Sequence, residues 1–233
     1  MNRRRVSGSL ALVGGGEWRD GCREFDAELC STSGAEEVVI LPTAAAYEQP
    51  DRVGERAVAY FDALGIKARV LPVLHRTEAE DPKIAATVRK AKFVYLSDGS
   101  PLHLRSVLKD SALFDALLAV YHGGGAVAAS GAGATLLCDP MVDPRGGAYT
   151  VGLGVVRNLA VFPYHGTAAD HLRERSIDLL PSSATLVGID DQTALILRDG
   201  TWTVAGVGQV TVYGSGGVAT KLAAGATADG LPT

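Results

Sequence analysis

Aromatic residues make up only 6% of the 233 residues, so stacking platforms for single-stranded nucleic acid are not expected. Clusters of Lys and Arg are missing beyond the opening Met1-Asn2-Arg3-Arg4-Arg5, and the formal net charge is −4. Both argue against nucleic acid as a partner, because phosphate binding draws on concentrated positive charge. No apolar run approaches the ~20 residues of a membrane helix, and the run at 10–13 is too short for a signal-peptide core. Cysteine is limited to Cys22, Cys30 and Cys138, an odd number without metal-ligand spacing. That pattern predicts a reducing, cytoplasmic setting rather than a disulfide framework. His75, His103, His122 and His171 also lack paired ligand spacing, so neither a metal nor a cofactor is expected. What is present, 47% hydrophobic and 21% charged residues, is the make-up of a soluble globular chain. Its length suits one large domain, read as 1–233 with an ordered core at about 8–222.

Short apolar runs alternate with helical patterns along the first two thirds, which predicts an α/β fold with a mostly parallel sheet covered by helices on both faces. Strands are expected at 10–13, 38–41, 68–73, 93–96 and 126–129, and helices at 51–64, 102–108, 113–121, 132–137 and 168–180. The last third changes character. Runs at 186–189, 194–197, 201–205 and 209–213 are joined by tight connections, one of them Asp199-Gly200, a strong hairpin signal. They read as an antiparallel extension at one edge of the parallel sheet, which also offers an edge for a homodimer. The Ala-, Gly- and Thr-rich tail from Ala223 is expected to be poorly ordered.

Four segments could carry chemistry. Gly14-Gly15-Gly16 follows the first strand, but the third glycine of a dinucleotide fingerprint is replaced by Arg19, so a tight turn against a neighbouring loop is the better reading. The run Ala126-Val127-Ala128-Ala129-Ser130-Gly131-Ala132-Gly133-Ala134 turns a buried strand into a helix through small residues, the architecture of a nucleophile elbow. Spacing alone allows the elbow to be centred on Ser130 or on Gly131, and Ala132 opens the helix whose N–H groups would stabilise an oxyanion. His165 ends a short apolar run in a glycine-containing loop, a natural place for a general base. In Ser97-Asp98-Gly99-Ser100-Pro101, Gly99 could lend a further N–H to an oxyanion hole. Asp98 and Ser100 serve equally well as turn or helix-capping residues. Cys138 falls in an apolar stretch and reads as core.

Taken in order, these segments resemble the serine peptidases of the dipeptidase E and cyanophycinase group, whose fold is similar to class I glutamine amidotransferases. The resemblance is carried by Leu12-Val13-Gly14-Gly15-Gly16, Ile40-Leu41-Pro42-Thr43 and the strand-loop-helix at 93–104. It continues through the elbow, Gly152-Leu153-Gly154, Phe162-Pro163-Tyr164-His165, Gly188-Ile189-Asp190-Asp191-Gln192-Thr193-Ala194-Leu195 and the run at 204–210. It implies acyl transfer by a serine on the elbow, a histidine base and an acidic residue that orients the histidine. His165 matches the family's histidine. The family's Gly-x-Ser-Ala-Gly-Ala elbow aligns its last three residues with Ala132-Gly133-Ala134, which puts Gly131 on the nucleophile. The family's Gly-Gly-Asp/Asn-Gln loop becomes Asp98-Gly99-Ser100-Pro101. The acidic partner is expected between the elbow and Gly152, where only Asp139 and Asp143 are available, and Asp143 is the candidate. The resemblance therefore implies a scaffold with impaired peptidase chemistry that keeps a cleft for a small peptide-like or amino-acid ligand. The alternative is a serine hydrolase acting on small or isopeptide-type substrates through Ser130 or Ser100 with His165.

Overall fold

Residues that alternate in facing, with both faces apolar, can only be satisfied in a sheet covered on both sides, and the central strands of this chain have that pattern. A computed structural model of the chain describes residues 8–143, 145–214 and 219–233; the basic opening segment lies outside the described residues. The seven-stranded main sheet runs Thr201–Gly206, Thr193–Arg198, Ser9–Val13, Ala126–Ser130, Phe93–Leu96, Glu37–Leu41, Lys67–Val70. Neighbours from Ser9–Val13 onward are parallel, and the Thr193–Arg198 and Thr201–Gly206 hairpin adds antiparallel to that edge.

Each central strand sends alternate residues to opposite cores. Leu10, Leu12, Val94, Leu96, Val127 and Ala129 pack with Leu104 and Leu113 of the Pro101–Leu108 and Ala112–His122 helices. Ala11, Val13, Phe93, Tyr95, Ala126 and Ala128 pack with Phe25 and Leu29 of Arg23–Ser33 and with Ala57 and Phe61 of Pro50–Asp62. The register aligns Val13 with Ser130, and Leu96 with Ala129. The glycine turn, the elbow and the 97–100 loop therefore leave the sheet together at one edge, where ligands bind in open α/β sheets.

Several sequence expectations need correction. The runs at 186–189 and 209–213 do not extend the main sheet. They lie in a second, six-stranded sheet ordered Ala219–Ala223, Gln209–Tyr213, Thr185–Ile189, Leu159–Phe162, Cys138–Asp139, Val156–Arg157. The tail is ordered: Val204 N donates to Ala226 O, Ala228 N to Trp202 O, and Trp202 Nε1 to Pro232 O at 2.8 Å. The outer edge of the hairpin presents unpaired backbone groups, and the tail satisfies them. The helices Arg23–Ser33 and Pro82–Lys90 lie outside the sequence expectation; they bury Phe25, Leu29 and Cys30 in the first and Ala85 and Val88 in the second. Among the described residues, no helix is long and apolar enough to cross a membrane.

Candidate active site

The strand Ala126–Ser130 ends because the next residue turns through φ 45° and ψ −100°, and the helix Ala132–Leu137 begins immediately after it. That conformation is costly for an L side chain and free for glycine. The elbow is thus centred on Gly131, and the register that spacing left open is decided by the backbone. Ser130 remains a strand residue whose side chain enters the opposite core. It is 0% exposed, and its Oγ donates to Glu17 Oε2 at 2.9 Å.

The space a nucleophile would use is filled. A Cβ built on Gly131 would lie closer to Asp98 Oδ1 and the Tyr164 hydroxyl than real Cβ contacts allow. Asp98 Oδ1 accepts two hydrogen bonds, from Gly99 N at 2.7 Å and from Ala132 N at 2.8 Å, while Oδ2 accepts from the Tyr164 hydroxyl. Two backbone N–H groups converging on one oxygen from a loop and a helix start have the geometry of an oxyanion hole. Here the oxygen belongs to the protein. Ser100, the other residue of that loop expected to face substrate, caps the Pro101–Leu108 helix by accepting from His103 N at 3.3 Å.

His165 is buried and has partners on both nitrogens. Nδ1 lies 3.4 Å from Asp190 Oδ1, and Nε2 lies 2.7 Å from the Tyr213 hydroxyl. Asp190 is itself anchored, its Oδ2 accepting from Gln209 N at 3.1 Å. The expectation that Asp143 orients the histidine is corrected. Asp143 holds Arg145 at 2.8 Å, which draws its carboxyl below the ordinary range, and Asp139 accepts from Gly152 N. The histidine's carboxylate comes from the end of the Thr185–Ile189 strand, beside the histidine in the second sheet. Burial lowers the His165 pKa, outweighing Asp190. A depressed folded-state value makes the neutral ring stabilising above the unfolded value of about 6.5, a contribution lost as pH falls through the folded value. Tyr213→Phe leaves the buried Nε2 without its partner. We expect a stability loss of about 1–2 kcal/mol in urea unfolding at pH 8. An unchanged midpoint would mean that water replaces the hydroxyl.

Glu17 links the elbow to solvent. Its carboxylate, 5% exposed, accepts from Ser130 and meets the Arg56 guanidinium at 3.1 Å and the Asp98 N–H at 3.5 Å. Burial, then the charge of Asp98, raise its pKa. Arg56 also lies over the Trp18 ring, at 5.5 Å from the centroid. Glu17, Arg56, Asp98 and Tyr164 line a cleft of about 400 Å³ together with Arg19, Glu48 and Asp191. A larger hollow of about 480 Å³, beside Glu24, Glu28 and the Thr201–Gly206 strand, contains none of the residues at the elbow. Cys138 is fully buried and burial pushes its thiol up, so it offers no reactive thiolate.

The sequence profile of peptidase family S51 matches residues 10–205. The chain belongs to peptidase family S51. Similar proteins include the cyanophycinase of Trichormus variabilis, 26% identical over 221 residues that span 88% of this chain and 72% of that one. The cyanophycinase of Thermosynechococcus vestitus is also 26% identical, over 88% of this chain and 67% of its own. Among solved structures, a peptidase from an acI-B1 Actinobacterium superposes with a TM-score of 0.86 at 30% identity, covering 96% of this chain and 97% of that one. A peptidase E-type protein from Listeria monocytogenes shares the fold, with a TM-score of 0.69 at 16% identity over 87% and 100% of the two chains.

Within that family scaffold, Gly131, Gly99 and Ala132 meet at one point, and His165 turns to Asp190 and Tyr213. Sequence reasoning missed Glu17, Tyr164 and Asp190, and took Asp98 for a turn residue. Signals were present: Glu17 follows the glycine turn directly, Tyr164 adjoins His165, and Asp190 closes an apolar strand. The Gly14-Gly15-Gly16 turn packs against the loop that carries Tyr164, where a Cβ on Gly15 would collide with the ring.

Proposed function

We propose that this member of peptidase family S51 does not perform serine-type acyl transfer, and that its cleft binds a small peptide-like or amino-acid ligand. The observation that carries the reading is the Asp98 carboxylate lodged on the Gly99 and Ala132 N–H groups beside a nucleophile position that has no side chain. Acyl transfer needs a nucleophile, a hole for the oxyanion and a base aligned with both. Glycine removes the first. A resident carboxylate occupies the second and repels any further negative charge. The His165 Nε2 is spent on Tyr213. Ser130 is a poor substitute, being enclosed and committed to Glu17. Losing the nucleophile of such a site typically costs a factor of about 10⁶ in rate. The cleft carries both signs of charge, with Arg19 and Arg56 beside Glu48 and Asp191, which suits a zwitterion.

Incubation with a fluorophosphonate followed by mass spectrometry of the intact protein and its peptides tests the first half. No serine adduct is expected, and a stoichiometric adduct on Ser130, Ser100 or any other serine would overturn it. Calorimetric titration with free amino acids and dipeptides tests the second half. Failure of the whole panel to bind would leave the cleft without the proposed ligand class.

A further inference from the structure

The cleft beside the elbow holds two arginines, and they differ in how they are held. Arg19 is exposed on the turn after the first strand, and among the described residues no carboxylate pairs with it. Arg56, on the Pro50–Asp62 helix, is fixed at two points. Its Nη2 donates to Glu17 Oε1 at 3.1 Å, and its guanidinium carbon lies 5.5 Å from the centroid of the Trp18 ring. Glu17 is in turn committed, because it is buried and its Oε2 accepts from Ser130 Oγ. A buried carboxylate stripped of its counter-ion is costly, so the pair keeps the guanidinium where it is. Among the described residues Nε and Nη1 of Arg56 make no hydrogen bond, and its side chain is 55% exposed. An arginine fixed in place with donors to spare is a ready receptor for a carboxylate. Its planar fork matches the two oxygens, and little side-chain freedom is left to lose on binding.

The rest of the lining limits which carboxylate can enter. Glu17 balances Arg56, which leaves Arg19 against Glu48, Asp98 and Asp191. A phosphate, or a ligand with a second carboxylate, would meet like charge there. A carboxylate on a molecule that carries its own ammonium would not. We infer that Arg56 is the carboxylate receptor of this cleft and Glu17 its positioning residue. The ligand is then an amino acid or dipeptide with a free α-carboxylate and no acidic side chain. The inference rests on the proposal that the cleft binds a peptide-like or amino-acid ligand. The ammonium goes to the acidic side of the lining. Glu48 has no partner among the described residues, and Asp191 accepts from Thr167 Oγ1 through Oδ2 alone. At about 400 Å³ the cleft is at the small end of ligand pockets, which suits a ligand of this size. The bond from Ser130 to Glu17 thereby gains a role, since it fixes the carboxylate that fixes the arginine.

Calorimetric titration of the full chain with glycyl-leucine, glycyl-leucinamide, glycyl-lysine and glycyl-glutamate tests the inference. Glycyl-leucine should bind about 10-fold or more tightly than its amide, the range for charge-assisted hydrogen bonds to one carboxylate. Glycyl-glutamate should bind about 10-fold more weakly than glycyl-lysine, because its side chain meets like charge. Arg56→Gln strands a buried carboxylate, so the deciding variant is Glu17→Gln with Arg56→Gln, which removes both charges together. Its fold is checked by circular dichroism and melting. In it the preference for the free acid over the amide should shrink to within about 2-fold. Glu17→Gln alone should lose part of that preference while the affinity for the amide holds, since Arg56 is present but no longer fixed. A purely structural role for Glu17 would weaken both ligands alike. An unchanged preference in the double variant, the loss appearing in Arg19→Gln instead, or glycyl-glutamate binding as well as glycyl-lysine would overturn the inference and leave the ligand class standing. Failure of all four dipeptide ligands to bind would remove that class and the inference with it.

Discussion

Gly131→Ser should destabilise the protein by about 3 kcal/mol, lowering its midpoint in urea without restoring fluorophosphonate labelling. Two costs add. A serine held at φ 45° carries backbone strain of about 1–2 kcal/mol. Its Cβ also enters space filled by Asp98 Oδ1 and the Tyr164 hydroxyl, and overpacking costs about 1–3 kcal/mol. The second cost depends on Asp98, so the two positions are coupled. In an Asp98→Gly background the same serine should cost the strain and the remaining overlap with Tyr164, giving an interaction energy of about 1 kcal/mol in a double-mutant cycle. Additive effects would show that Asp98 does not occupy the nucleophile's space. Labelling should stay absent in the single variant because His165 Nε2 remains bonded to Tyr213.

Asp26→Asn should stabilise the protein by about 1–3 kcal/mol at pH 8, the range for relieving a poorly paired buried polar group. Asp26 is 0% exposed in the Arg23–Ser33 helix. Its Oδ2 accepts from the Tyr60 hydroxyl at 2.9 Å, and among the described residues its Oδ1 has no partner. Burial pushes its pKa well above the ordinary carboxylate range, and the Tyr60 bond offsets only part of this. The sign follows from proton counting. Above the unfolded value of about 3.9 the unfolded chain releases a proton that the folded chain retains, so stability falls as pH rises toward the folded value. Asparagine keeps the acceptor for Tyr60 and removes the charge to be desolvated, and that gain outweighs the cost of its NH2 at the unpartnered Oδ1 position. The gain should therefore be largest at pH 8 and shrink toward pH 4. A variant less stable than the parent at both values would refute the account and point to a partner for Oδ1.

Local pattern reached a long way into the fold. The strand at 93–96 and the helix at 132–137 coincide with Phe93–Leu96 and Ala132–Leu137, because an apolar run closed by turn residues leaves the backbone few choices. It failed where the signal was compositional. The tail from Ala223 reads as loose chain, yet the free edge of the Thr201–Gly206 strand orders it. The runs at 186–189 and 209–213 look like a continuation of the hairpin beside them, and only pairing partners assign them to the second sheet.

The site divides in the same way. Its backbone features were legible: a glycine-flanked elbow, a loop glycine and a histidine at a strand end are dictated by sterics over a few consecutive residues. Its side-chain chemistry was not. Asp139 and Asp143 lie near the elbow in sequence, but the carboxylate beside His165 is Asp190, brought there by the parallel pairing of Leu159–Phe162 with Thr185–Ile189. Asp98 is a good turn residue by every local rule. It reaches the Ala132 N–H only because Phe93–Leu96 and Ala126–Ser130 run parallel and in register. The sequence by itself determined the α/β scaffold and the presence of an elbow at Ser130-Gly131, since these follow from periodicity and small-residue spacing; the backbone angles of the structure put Gly131 at its tip. Only the tertiary structure decided what fills the space above that glycine. Hydrogen bonds between residues tens of positions apart depend on strand register, and no local pattern encodes it.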